Sequence, residues 1–346
     1  MDLKKLLALM LSRRASDLII SAGSPPTLRV DGKLAPLQMP PMDAQECSET
    51  VFQCATEQQQ KEVELNKDAD FSYGVPALGR FRVNVHSQRG SIAASIRLIS
   101  ASTPDIRELG LPPIVTELAD HARGLMLVTG PTGSGKSTTL AAVVQRINAT
   151  RRCHVITIED PIEHVFNNDK SIIEQREVGA DTPSFAAALR HVLRQDPDVI
   201  MIGEMRDKET IAAAMTAAET GHFVLSTLHT NDSAQTIDRI VDVFDGETQP
   251  QIRLQLSMVL VGIVSQQLIE RRNGGRTAAC EVLVNTPGIA NLIRKGETAQ
   301  IRNAVLTGSS SGMISMQKSL QSLAAAGVID KESSSVRQLV GAAVGS

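Results

Sequence analysis

Apolar positions along this chain change their spacing part-way. At the start, Leu3, Leu6, Leu7 and Met10 recur at helical intervals, which predicts a short helix with one face turned to a core. Short strand-like runs follow: "DLIISAG" leads into Ser24-Pro25-Pro26, and "TLRVDGKLAPL" holds the Asp31-Gly32 pair that favours a hairpin. Residues 43–66 are polar and Gln/Glu-rich with helical character. Beyond them the pattern alternates, with Phe81, Val83 and Val85 pointing one way and Arg80, Arg82 and Asn84 the other. These runs predict a small α+β domain over residues 1–99.

The stretch "SASTPDIRELGLPP" interrupts both periods with three prolines, and residues 100–114 are expected to connect two domains. From 115 the strands become apolar throughout and alternate with helices: "GLMLVTG", "KSTTLAAVVQRIN", "CHVITIED", "SFAAALRHVLRQD", "DVIMIGE", "KETIAAAMTAAETG", "FVLSTLHT". Such alternation predicts an α/β core with a parallel sheet covered on both faces, assigned to residues 115–285. After 250 the chain is expected to become mainly helical. Residues 286–346 are read as a helical C-terminal region ending in the frayed, Gly/Ser-rich "SSSVRQLVGAAVGS".

Composition narrows the function classes. The chain has 346 residues, 42% hydrophobic and 21% charged, as in ordinary globular proteins of two domains. A net charge of −3, seven Phe, one Tyr and no Trp give no case for nucleic acid as a partner. Cys47, Cys54, Cys153 and Cys280 are scattered without metal-binding spacing and read as incidental thiols of a reducing cytosol. Only Leu6–Leu11 is uninterrupted apolar at the amino end, short for a signal peptide and far short of a membrane span, so a cytoplasmic protein is expected.

The chemistry concentrates in the second domain. "GPTGSGKSTT" contains Gly130-x-x-x-x-Gly135-Lys136-Ser137, a phosphate-binding loop directly after a strand and opening a helix. Gly130, Gly133 and Gly135 let the backbone of 130–138, with Thr132, Ser134 and Thr138, wrap a phosphate. Lys136 is expected to reach the terminal phosphates and Ser137 to ligate Mg²⁺. Parallel sheets place ligands at the carboxyl ends of their strands. There "HVITIED" ends in Glu159-Asp160 with Glu163 nearby, "VIMIGE" in Glu204, and "FVLSTLHT" in Thr227, His229 and Thr230. Glu204 is expected to hold and polarise the attacking water, with Gly203 leaving room for the ligand. The alternative is a salt bridge from Glu204 to Arg206 or Arg190.

"GPTGSGKSTT", "TIEDPIEH", "LRQDPDVIMIGEMRD" and "AAETGHFVLSTLHTNDS" resemble the four signature boxes of secretion and pilus ATPases, within which the chain is most similar to the PilT-type retraction ATPases of type IV pili. The resemblance implies a PAS-like N-terminal domain joined to a RecA-like ATPase domain, and a homohexameric ring hydrolysing ATP with Mg²⁺. It also implies docking on an inner-membrane platform protein of the pilus machine. Glu159, Asp160 and Glu163 would surround metal and water, Glu204 would be the general base, and His222 and His229 would belong to the active site. His222 lies seven residues before His229, about 20 Å along a regular strand, so a supporting or ordinary core role is the other reading for it. Arg80, Arg82 and Arg97 would reach the nucleotide from the N-terminal domain, against the alternative of a solvated strand face. The chain lacks the four-cysteine insertion usual in extension ATPases, and "PGIANLIRKGETAQI" resembles the retraction element with Gly288, Ala290 and Lys295 as departures. A pilus-extension or secretion ATPase, or a non-catalytic nucleotide-gated subunit, are the alternatives.

Overall fold

In the computed structural model, residues 1–99 and 103–332 are described; the expected frayed tail at 333–346 lies outside them. The chain divides into two compact units, Met1–Ser102 with Pro161–Val165, and Thr103–Asp160 with Phe166–Ser346.

The first unit is an antiparallel sheet with helices. Helix α1 (Leu3–Ser12) is capped by Asp2, and it buries Leu3, Leu6, Leu7 and Met10, the predicted stripe. Burying each such side chain is worth about 1.5–3 kcal/mol. Strands β1 (Asp17–Ile20), β2 (Thr27–Val30) and β3 (Lys33–Pro36) are followed by α2 (Ala44–Val51) and α3 (Glu57–Asn66). Both helices open on a capping box, Asp43 with Glu46 and Thr56 with Gln59. Strands β4 (Asp68–Val75), β5 (Gly79–Gln88) and β6 (Ser91–Ile99) complete the order β3-β2-β1-β6-β5-β4. Phe81, Val83 and Val85 are fully buried, as the alternation required.

The second unit begins with residues of the expected connection, since Ile106 joins its core. Helix α4 (Pro113–Ala119) and strand β7 (Gly124–Thr129) lead to α5 (Lys136–Thr150), β8 (His154–Glu159), β9 (Ile172–Glu177) and α6 (Phe185–Val192). Then come β10 (Val199–Ile202), α7 (Lys208–Glu219), β11 (Phe223–Leu228), α8 (Ser233–Asp242) and α9 (Gln249–Val259). Strands β12 (Leu260–Glu270) and β13 (Arg276–Val284) precede α10 (Pro287–Lys295), α11 (Thr298–Thr307) and α12 (Met316–Ala325). Sheet order is β13-β12-β7-β11-β10-β8-β9, parallel except for β13. Alternate residues of the central strands feed two cores. Leu125, Leu127, Ile200 and Ile202 pack with α6 to α11, while Met126, Val128, Val199 and Met201 pack with α4 and α5.

Two expectations need correction. The chain after 250 is not mainly helical until 285, because β12 and β13 form a long hairpin that extends the sheet beside β7. Gln266 and Gln267 break the apolar run that signals a buried strand. Strand β9 was not anticipated; at the sheet edge it carries Glu174, Gln175 and Arg176, a pattern without a strand signature. Among the described residues no helix is long and apolar enough to cross a membrane.

Candidate active site

Strand β7 pairs in parallel with β11 and β12, and β11 with β10, so their carboxyl ends share one rim. The glycine loop leaves β7 at this rim. Gly130, Gly133 and Gly135 have φ of 142°, 78° and 89°, values that favour glycine. At Gly130 space also forbids a side chain, since a Cβ there would lie 2.2 Å from the Gln266 carbonyl oxygen. Helix α5 starts on Gly135 with no side-chain cap, leaving its first N–H groups for an anion. Lys136 is buried and donates to the carbonyl oxygens of Gly130 at 2.9 Å and Pro131 at 3.0 Å. Ser137 and Thr132 are exposed, Thr138 is half-buried and Ser134 is buried.

Gln266 on β12 braces this loop from behind. Its Nε2 donates to the Ser134 carbonyl at 2.6 Å, and its Oε1 accepts from Thr139 Oγ1 at 2.9 Å. Thr129, the last residue of β7, shares a 2.8 Å hydroxyl–hydroxyl bond with Ser265. Sequence reading missed Gln266, and the only signal for it was a polar residue inside an otherwise apolar strand.

Beyond β10, the Glu204 carboxylate is mostly buried and its Oε2 holds two partners. His229 Nε2 lies 3.2 Å away and Arg206 Nε 2.7 Å away. The salt-bridge reading of Glu204 is thus realised, with Arg206 rather than Arg190 as the ion-pair partner, on the same oxygen that meets His229. Asp207, next in the box, caps α7 by accepting from Thr210 N at 2.8 Å. Thr227 ties the neighbouring strand in by donating to the Gly203 carbonyl at 2.7 Å. Gly203 does not open space for a ligand as expected: a Cβ there would meet the Ile158 carbonyl, Glu159 Cα and the Phe185 ring at ordinary contact distances.

At the end of β8, Glu159 is buried and accepts from Thr157 Oγ1 at 2.6 Å and Gln175 Nε2 at 3.0 Å, whereas Asp160 is exposed. Glu163 is exposed and sits in Pro161–Val165, which groups with the first unit. Among the described residues, no group of three or more His, Cys, Asp or Glu side chains is arranged to hold a metal. His222 is not at the rim. It precedes β11 at the amino end, its Nδ1 2.9 Å from the Ala217 carbonyl and 3.2 Å from Thr220 Oγ1. The helix-to-strand turn before β11 uses this ring locally.

The candidate arginines Arg80, Arg82 and Arg97 share one face of the first unit's sheet. Arg82 and Arg97 stand directly opposite each other on β5 and β6. Like charges so placed repel, and each has a carboxylate: Asp70 lies 3.7 Å from Arg82, and Asp17 2.8 Å from Arg97. Burial opposes ionisation of Asp17. The hydrogen bonds from Ser16 and Arg97 and the charges of Arg97 and Arg29 outweigh it, holding this carboxyl below its usual range. Arg80 donates to Ser72 Oγ at 2.5 Å.

A model of the type II/IV secretion system protein family matches residues 2–282. The chain belongs to this family. Among type II/IV secretion system proteins it is 46% identical, over 96% of both chains, to the type IV pilus retraction ATPase PilT of Pseudomonas aeruginosa. It is 42% identical to the type IV pilus ATPase PilU of the same organism, over 96% of this chain and 87% of that one. A crystal structure of the pilus retraction motor PilT with bound ADP superposes with a TM-score of 0.89 at 46% identity, covering 96% of this chain and 95% of that one. This likeness holds the α/β fold of the family member, with its antiparallel N-terminal sheet and its parallel-rich second sheet.

Proposed function

We propose that this chain is an ATP-hydrolysing motor that powers type IV pilus retraction. What carries the reading is that a complete phosphate-binding loop and the Glu204–His229 pair end neighbouring strands of one sheet. Near-complete overlap with the protein named as a retraction ATPase supports the biological role.

In this reading the N–H groups of 130–138 and the start of α5 hold the ATP phosphates, and Lys136 exchanges its loop carbonyls for phosphate oxygens. The Ser137 hydroxyl and the Asp160 carboxylate, both exposed, fit a hard cation that keeps several waters and needs few protein ligands. Bound Mg²⁺ would neutralise charge on the β- and γ-phosphates. Glu204 takes the proton of the attacking water, and His229 and Arg206 orient its carboxylate. Glu159, engaged by Thr157 and Gln175, supports the metal side of the rim, and Glu163 supplies a further carboxylate. His222 has a supporting role in its turn. Arg97, Arg82 and Arg80 supply positive charge to the polyphosphate; the Arg97 and Arg82 side chains, 70% and 46% exposed, support this. The working form is a homo-oligomer, as a ring of six. It acts in the cytoplasm, held at the inner membrane by a platform protein of the pilus machine.

Purified Glu204→Gln is expected to bind ATP normally and release phosphate at least about 10²-fold slower, the usual worth of general base assistance. Undiminished phosphate release removes Glu204 from this role. Likeness to a relative named only as a type IV pilus ATPase, PilU, keeps a pilus-extension ATPase as the second reading. Deletion leaving excess immobile pili favours retraction; loss of pili favours extension.

A further inference from the structure

Three residues beyond His229, a charged cluster joins the rim to the C-terminal helices. Asp232 caps α8, its Oδ1 accepting from Gln235 N at 2.7 Å. Its other oxygen, Oδ2, lies 3.2 Å from Arg302 Nη2 on α11. The next residue, Ser233, donates its N–H to Glu281 Oε1 on β13 at 2.9 Å. Residues 229–232 are therefore anchored at their far end by two contacts, one to the sheet and one to α11. Ile301 and Val305 of α11 are buried in the core shared with Ile237 and Ile240 of α8, so α11 and α8 belong to one packed layer.

Burial pushes the Glu281 carboxyl up, and the Ser233 bonds and the charge of Arg302 oppose that push. The Arg302 charge is thus felt at both carboxylates, by contact at Asp232 and through its field at Glu281. His229 has its own contact to Glu204, but its side chain is 43% exposed. Its position depends on the turn that follows it.

We propose that Arg302 is a positioning residue for hydrolysis, holding Asp232 so that the turn 229–232 keeps the His229 imidazole on Glu204 and makes α11 a lever on the water-activating pair. The inference rests on Glu204 being the general base.

Steady-state ATPase kinetics of the purified full chain test it. Arg302→Met keeps length and removes charge. Asp232→Asn keeps the cap, because asparagine caps helices as well as aspartate does, and removes the ion pair. Each is expected to lower kcat about two- to fivefold at unchanged KM for ATP, the scale of a partly exposed ion pair. Arg302→Lys should recover most of the loss. In a His229→Ala background Arg302→Met should cost nothing more, because its effect passes through that ring. A further loss in that background, a KM change with kcat intact, or parent kcat in both single variants overturns the proposal. Should Arg302→Met fail to fold, Asp232→Asn alone and with His229→Ala completes the same cycle. Parent turnover in Glu204→Gln would refute the base assignment itself, and this inference with it, whereas additivity at His229 refutes this inference alone.

Discussion

Replacing Gln266 with methionine removes two hydrogen bonds from behind the phosphate loop at nearly constant volume. The side chain is 2% exposed, so water cannot substitute for either bond. Thr139 has an escape: its hydroxyl can turn to the carbonyl of Gly135, one turn back on α5. The Ser134 carbonyl has none, and a buried acceptor without a donor costs about 1–3 kcal/mol. Without ligand the loop can relieve part of that cost by opening towards solvent. Closing on phosphates restores the cost, so it falls on nucleotide affinity. ATP dissociation constants, measured with a fluorescent analogue, are expected to rise about tenfold for Gln266→Met, equivalent to about 1.4 kcal/mol. Thr139→Val leaves the buried Gln266 Oε1 without its donor in both the open and the closed loop but keeps the brace on the Ser134 carbonyl, so it should lower stability by about 1–3 kcal/mol and shift affinity about threefold or less. Gln266→Glu keeps the acceptor for Thr139 but sets a carboxylate against the Ser134 carbonyl, and should bind as weakly as the methionine variant or worse. Parent affinity in both Gln266 variants would refute the bracing argument.

Two further outcomes follow from the first unit and the thiols. Asp17→Asn should destabilise the chain by about 1 kcal/mol at pH 7 in denaturant titration, from loss of a partly exposed ion pair and its hydrogen bonds. Because the folded-state carboxyl is held below its ordinary 3.8, the difference should persist above that value and vanish as pH falls through the depressed one. With iodoacetamide at pH 8, peptide mapping should find Cys153 modified first. Cys54 and Cys280, whose thiols burial pushes up to about 12, should react only on unfolding, and Cys47 should lag for the same reason.

What could be read from residues alone was local. The glycine loop, its lysine and the acids at strand ends are each written within a few positions of a strong strand signal. A salt bridge from Glu204 to Arg206 is legible as one reading of a nearby pair in sequence; only folding shows that the same carboxylate oxygen also meets His229. The Gln266 brace joins residues 132 and 127 positions apart, and no window of sequence contains such a pair. Strand β9 was invisible because an edge strand has no second buried face to impose an apolar pattern. His222 and His229 flank opposite ends of β11, and the His222 ring is bound in the turn that starts the strand.

The two borders of the large sheet are finished differently. Along β13 the outer backbone is already engaged, by a bridge from Val282 to Ile314 and by the Cys280 N–H donating to Ser319 Oγ at 3.0 Å. Along β9 the border presents Glu174 and Arg176, charges that discourage a foreign strand from adding there. Strand addition is therefore discouraged at both borders of this sheet, and contacts between copies through the second unit fall to its helices and loops, where they can be made and released as the nucleotide changes.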